Sequence, residues 1–169
     1  MRRRDRALAG LVVLLASGGC RALSSMGDVE VTQTADGLPC FAVRGDAPLR
    51  LHALSVTHGE RRDWRTLPDE SWGYTVAPPG AALAAGPTGC IRYGEAPPAA
   101  TVRHAPEPLR PARLYRVEIS ASPPSGSDGT AAYEAEFCLV DGADGKPAVR
   151  AVAWDAEARR WRREVCPDR

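Results

Sequence analysis

Residues 113–121 read R-L-Y-R-V-E-I-S-A, and residues 130–140 read T-A-A-Y-E-A-E-F-C-L-V. Both alternate. In the first, Tyr115, Val117, Ile119 and Ala121 fall on one face, with Arg116, Glu118 and Ser120 on the other. In the second, Ala131, Tyr133, Ala135, Phe137 and Leu139 share a side. Successive side chains of an extended chain point to opposite faces, so a period of two marks a half-buried strand. The intervening S-P-P-S-G-S-D-G at 122–129 is turn chemistry, because glycine and aspartate tolerate left-handed backbone angles. The two segments are predicted to form a β-hairpin.

Working outward, Asp28–Thr34, Leu38–Arg44, Leu49–Thr57, Trp72–Ala77 and Gly89–Tyr93 are further strand candidates, each bounded by Gly, Pro or Asp. No stretch shows helical periodicity. Short strands at this spacing predict an all-β chain, a single immunoglobulin-like or transthyretin-like β-sandwich. Pro147–Trp154 and Arg159–Val165 flank Asp155–Ala158 and predict an additional C-terminal β-hairpin, with Trp154 near Trp161. The segment Gly94–Pro111 carries Pro97, Pro98, Pro106, Pro108 and Pro111. Proline cannot donate to a ladder, so this segment is read as an irregular crossover.

The N-terminus fixes the address. Arg2, Arg3, Arg4 and Arg6 precede an uncharged stretch of thirteen residues, Ala7–Gly19. A bilayer core needs about 20. A charged start, a short apolar middle and small residues at the end are the marks of a signal peptide. Ser17, Gly18 and Gly19 run directly into Cys20, an arrangement that resembles the bacterial lipobox, although Ser17 stands where leucine is commonest. The resemblance implies lipidation of Cys20 and removal of residues 1–19, and several acyl chains suffice for stable anchoring in a membrane. Arg21 is not the aspartate that resembles an inner-membrane retention signal, so the outer membrane, facing the periplasm, is the expected site. The expected organisation is a lipoprotein signal peptide at 1–19, a lipidated tether at 20–27, the β-sandwich at 28–140, and the hairpin extension at 141–169 packed on the same domain.

Without the leader, 150 of the 169 residues remain, which suits one domain. Four arginines and one aspartate leave with it. The 22 Lys+Arg and 21 Asp+Glu become 18 and 20, a formal charge of −2 with no basic field to attract nucleic acid. Arg159, Arg160, Arg162 and Arg163 surround Trp161, but Asp155, Glu157 and Glu164 are interleaved. Such a mixture reads as a solvated strand edge rather than a nucleic-acid patch.

With Cys20 assigned to lipid, Cys40, Cys90, Cys138 and Cys166 form an even set in an oxidising compartment, where disulfides are the expected use. Counting leaves three connectivities open. Cys138 lies in line with Glu134 and Glu136, away from the main apolar face, and a bond to the C-terminal extension through Cys166 fits that direction. This favours Cys138 with Cys166 and Cys40 with Cys90. No pair has Cys-x-x-Cys spacing, and His52, His58 and His104 lie far from any cysteine, so no metal and no cofactor is expected.

No enzyme constellation emerges. There is no G-x-S-x-G elbow, no H-E-x-x-H and no glycine-rich phosphate loop. His58 with Glu60, and Asp69 with Glu70, read as turn and loop residues. D-G-A-D-G-K at 141–146 resembles the start of a calcium loop, but the later liganding positions are apolar, so a plain turn is expected. No small-molecule substrate is evident.

The order G-L-P-C-F-A-V at 37–43, L-S-V-T at 54–57 with Trp64 after it, G-C-I-R-Y-G at 89–94 and P-L-R-P-A-R-L-Y-R-V-E-I at 108–119 resembles the small periplasmic lipoproteins of the type VI secretion immunity family. The resemblance covers Cys20 to Val140; residues 141–169 have no counterpart. It implies a protein that binds and neutralises a cognate protein toxin by occluding it, with no chemistry required. A few aromatic or arginine anchors then dominate the affinity. Trp64 and Trp72, flanking the polar segment 65–71, are the candidate partner-binding residues; the commoner placement of tryptophan in a β domain is the core. The alternative reading is a structural or assembly lipoprotein of the cell envelope, such as an outer-membrane secretion-system subunit. Mass spectrometry of the detergent-extracted protein is expected to find a mature chain that begins at acylated Cys20; a bare Cys20, or another start, refutes lipidation.

Overall fold

The alternating segments that decide the fold do pair. The computed structural model describes residues 26–45, 47–59, 68–124, 131–142 and 145–166. In chain order the strands are β1 (Met26–Gln33), β2 (Pro39–Val43), β3 (Leu49–His58), β4 (Asp69–Val76), β5 (Ala81–Leu83), β6 (Ile91–Arg92), β7 (Ala100–His104), β8 (Leu114–Ser122), β9 (Ala131–Asp141), β10 (Pro147–Val152), β11 (Trp154–Asp155) and β12 (Arg160–Trp161). In the β8–β9 hairpin Tyr115 faces Phe137, Val117 faces Ala135 and Ile119 faces Tyr133, so the two apolar faces coincide.

The main sheet runs β6-β2-β1-β9-β8-β3-β4-β7, with β10 also on β9 and β5 also on β3. β1 lies parallel to β9 over Met26–Asp28, and every other pairing described is antiparallel. Three bulges bend it. One extra residue sits at His52 against β8, one at Ser71 against β3 and one at Arg103 against β4. A bulge adds local twist and turns the strand. The first is written in the sequence, because Leu49 and Leu51 are buried in one phase of β3 and Leu54 and Val56 in the other.

The curl brings the two ends of the sheet together. Tyr93, just past β6, sets its ring 5.1 Å from Trp72 on β4. Its hydroxyl lies 3.1 Å from the Ser71 carbonyl and 2.7 Å from that of Glu107. Between these ends Phe41, Leu54, Val56, Tyr74, Val117, Ile119 and Phe137 are fully buried with Trp72. The chain is therefore all-β and sandwich-like, with one curled sheet supplying both layers of the core.

The entry to β8 is fixed from both sides. Ala112 adopts a left-handed φ of 55° and donates its N–H to Leu139 at 3.0 Å, while the Tyr115 hydroxyl accepts from the Arg110 N–H at 2.7 Å. β5 was not among the expected strands. It follows a turn closed by the Gly80 N–H on the Ala77 carbonyl, where φ is +85° and a Cβ would stand 2.7 Å from the Leu51 carbonyl.

Three expectations are corrected. The crossover at 94–111 contains a strand, β7, because its five residues lie between Pro98 and Pro106 and occupy a sheet edge, where neighbouring prolines are tolerated. Residues 147–152 pair with β9 rather than with 159–165, so the C-terminal hairpin shrinks to β11 and β12; Trp154 and Trp161 do meet, at 5.2 Å edge to face. Trp72 offers nothing to a partner, since its side chain is wholly inside. Trp72→Ala is expected to cost about 3–5 kcal/mol. Tyr93→Phe, which keeps the ring and removes the hydroxyl, is expected to fold and to lose about 1–2 kcal/mol. Denaturant unfolding of both measures this, and a wild-type midpoint for Tyr93→Phe would show that the hydroxyl does not close the sheet.

Candidate functional site

The outer face of β3, β8 and β9 is where polar side chains gather. Cross-strand pairing sets Ser55 beside Glu118 and Glu118 beside Glu134, and in the next row Thr57 beside Arg116 and Arg116 beside Glu136. Glu118 and Glu134 are like charges directly opposite, an unfavourable pairing. Burial pushes the Glu134 carboxyl above its ordinary range; Arg116 opposes this, and Glu118 and Glu136 reinforce it. These rows floor a cavity of about 1130 Å³ that reaches His58 and Asp69, with Arg103 and Arg163 on its walls.

Among the described residues Glu136 is the one buried carboxylate, at 1 % exposure. Burying a charge is costly unless it is paired and hydrogen-bonded. Arg116 donates to it from Nη2 at 2.8 Å, and Arg163 donates from Nε and Nη2 at 2.7 Å each. The Arg163 pair is a two-pronged fork on both carboxylate oxygens, the geometry that makes guanidinium–carboxylate contacts strong. Two residues further along β9, Cys138 is bonded to Cys166 with a Cα separation of 6.0 Å. Arg163 opens a single 3-10 turn, Arg163–Val165, that ends at Cys166. Two strand residues advance about 6.7 Å, and three residues of a 3-10 turn advance about 6 Å. The two anchors on the strand therefore match the two on the tail, and the C-terminal segment is clamped across the outer face.

At the His58 end three residue types of a hydrolase triad converge. His58 Nδ1 is 2.7 Å from the Ser71 hydroxyl, and Nε2 is 3.7 Å from Asp69. A nucleophile must meet its substrate. Ser71 sits in a bulge at 2 % exposure and does not line the cavity, and the Asp69 contact is longer than a hydrogen bond. Burial holds the His58 ring below the ordinary histidine value, with Arg113 adding to this and Asp69 opposing it. The arrangement keeps a neutral imidazole orienting a buried hydroxyl. Nearby, Glu70 of β4 and Arg103 of β7 pair at 2.7 Å over Gly73, where a Cβ would stand 2.9 Å from Arg103 Nη2.

The sequence-derived candidates scatter. Cys20, Trp64 and Glu60 lie outside the described residues. Cys40 and Cys90 are bonded with a Cα separation of 5.6 Å, stapling β2 to the turn before β6, so the favoured pairing of all four cysteines is the one observed. At 141–146, the Gly142 N–H donates to Lys146 at 2.8 Å and the Gly145 N–H to Gly142 at 3.0 Å, which are turn contacts. Among the described residues no three His, Cys, Asp or Glu side chains come together as a metal site, and no helix is long and apolar enough to cross a membrane. No protein-family model, no curated protein and no solved structure matches the chain. Sequence reasoning missed Glu136; the available signal was a charged residue beside Cys138 and an arginine three before Cys166. Arg163→Ala is expected to destabilise by about 1–3 kcal/mol, since it leaves a buried carboxylate half satisfied. Arg163→Lys is expected to recover only part of this, because an ammonium cannot fork. Denaturant midpoints measure both, and a neutral Arg163→Ala would mean that Arg116 alone suffices.

Proposed function

We propose that this chain is a lipid-anchored envelope protein, displayed toward the periplasm, that binds and neutralises a type VI secretion toxin. It acts by contact rather than turnover. The observation that carries this reading is the clamped outer face: Cys138–Cys166 and the Glu136–Arg163 fork fix the C-terminal segment over a disulfide-stapled sheet. A surface ordered before binding loses little entropy on complex formation, which is what a tight inhibitor needs. The charged groups of the cavity support the same reading, because Arg116 and Arg103 are already paired with Glu136 and Glu70 in a manner suited to complementarity rather than proton transfer.

The leader and Cys20 support the location, and the order of residues at 37–43, 89–94 and 108–119 supports the immunity family. An inhibitor of this kind needs a complementary patch of standard size, about 800 Å² on each partner. Exporting a candidate type VI toxin to the periplasm of a sensitive host is expected to stop growth, and co-expression of this protein to restore it. Failure to restore growth with the protein present in the envelope counts against immunity and turns attention to an assembly role.

A further inference from the structure

The joint between β1 and β9 rests on few residues. The two strands pair over Met26–Asp28 alone, and this pairing connects β6, β2 and β1 to the rest of the main sheet. Neither disulfide crosses it, since Cys40–Cys90 lies on one side and Cys138–Cys166 on the other. Gln33 adds a side-chain tie: its Oε1 accepts the Val149 N–H at 3.2 Å, and its Nε2 donates to the Pro147 carbonyl at 3.0 Å.

The two faces of the joint differ. On one, Tyr133 stands over Gly27, where a Cβ would lie 2.5 Å from its ring. On the other, register sets like charges side by side. Asp28 is opposite Glu134, and Glu134 is opposite Glu118, so three carboxylates from three neighbouring strands form one row. Adjacent strands are about 4.8 Å apart, and like charges directly opposite destabilise a sheet.

The surrounding groups do not cancel this. Arg116 stands 3.8 Å from Glu134 but is hydrogen-bonded at 2.8 Å to Glu136, which also holds Arg163. Arg44 meets Asp28 through its backbone N–H, at 3.1 Å on the Asp28 carbonyl, and is exposed. β3 brings only Ser55 to the row, β10 sets Val152 beside Glu136, and Glu30 adds a further carboxylate two residues along β1. Burial holds the Glu134 carboxyl above its ordinary range, so the folded chain binds a proton there more tightly than the unfolded chain does. Stability from such a group is fully present below its unfolded value and is lost as pH rises through the folded one.

We propose that the row Asp28–Glu134–Glu118 makes the β1–β9 joint a pH-sensitive latch: a proton on the central carboxyl replaces repulsion with a hydrogen bond to a neighbouring carboxylate, and its loss loosens β1 from β9. The latch is a property of the sheet and stands apart from the immunity reading.

Amide hydrogen exchange on the full mature protein, corrected for the intrinsic pH dependence of exchange, reads the joint directly. Between about pH 7.5 and about pH 5, protection of the β1 amides is expected to rise about 2- to 5-fold, the size of one cross-strand charge pair. Glu134→Gln, neutral at either pH, is expected to show the higher protection at both, and Asp28→Asn to narrow the difference. Peptide mapping of both disulfides shows that each variant is folded. At the higher pH β1 is expected to exchange ahead of β4, through an opening that leaves the rest of the sheet intact. Exchange of β1 in step with β4 at both values would mean that the joint does not open by itself, and would overturn the latch. So would equal β1 protection at the two values, or a Glu134→Gln protein that keeps the wild-type difference.

Discussion

The contact between Tyr93 and Trp72 turns a sheet into a core. Strands β1, β3, β8 and β9 each turn a row of apolar residues to one side, and a flat arrangement would leave those faces in water. Bulges at His52, Ser71 and Arg103 bend the sheet far enough for its two ends to approach. The ring contact at 5.1 Å and the hydroxyl beside the Ser71 carbonyl then hold the ends in place. Hydrophobic burial drives the curl, and a directional polar tie fixes where it stops. Cys40–Cys90 acts on the same seam, since it secures the turn from which Tyr93 emerges.

With the inner face consumed by the core, whatever this protein recognises must be met on the outer face or at the edges. The outer face is organised by one buried anion. Glu136 gathers Arg116 from the neighbouring strand and Arg163 from the tail, and so links a strand, its partner and a distant segment through a single carboxylate. Removing such a charge's partners is much more harmful than never having buried it. The arrangement thus specifies where the tail lies more than it adds stability.

The fold was legible wherever alternation ran without interruption. Residues 114–122 and 131–141 announced their faces, their hairpin and the outward direction of Cys138, and the disulfide pairing followed from that direction. Legibility failed where a rule was applied to too long a window. Five prolines in 94–111 concealed the proline-free strand Ala100–His104. The phase slip in L-R-L-H-A-L-S-V was visible in the letters, yet its meaning as a bulge depends on the strand opposite. Trp72 and Trp154 are chemically identical, and only the curl of the sheet sends one inside and leaves the other half exposed. Glu136 looked like any solvated outward residue because the partner that forks onto it, Arg163, lies 27 positions away on a segment whose path local pattern does not encode.

The matched spacing of the clamp makes the tail a vernier. The strand offers its two holds at Glu136 and Cys138, and the tail offers its own at Arg163 and Cys166. Length can change in the stretch between β10 and β11 or at the tip of the terminal hairpin, where extra residues merely lengthen a loop. Between Arg163 and Cys166 it cannot, because losing Glu164 or Val165 would rotate one hold off the strand while the other stayed fixed. Natural variation in this protein should therefore tolerate gaps around the hairpin and forbid them in that pair of positions, leaving a short motif of constant length inside a segment otherwise free to drift.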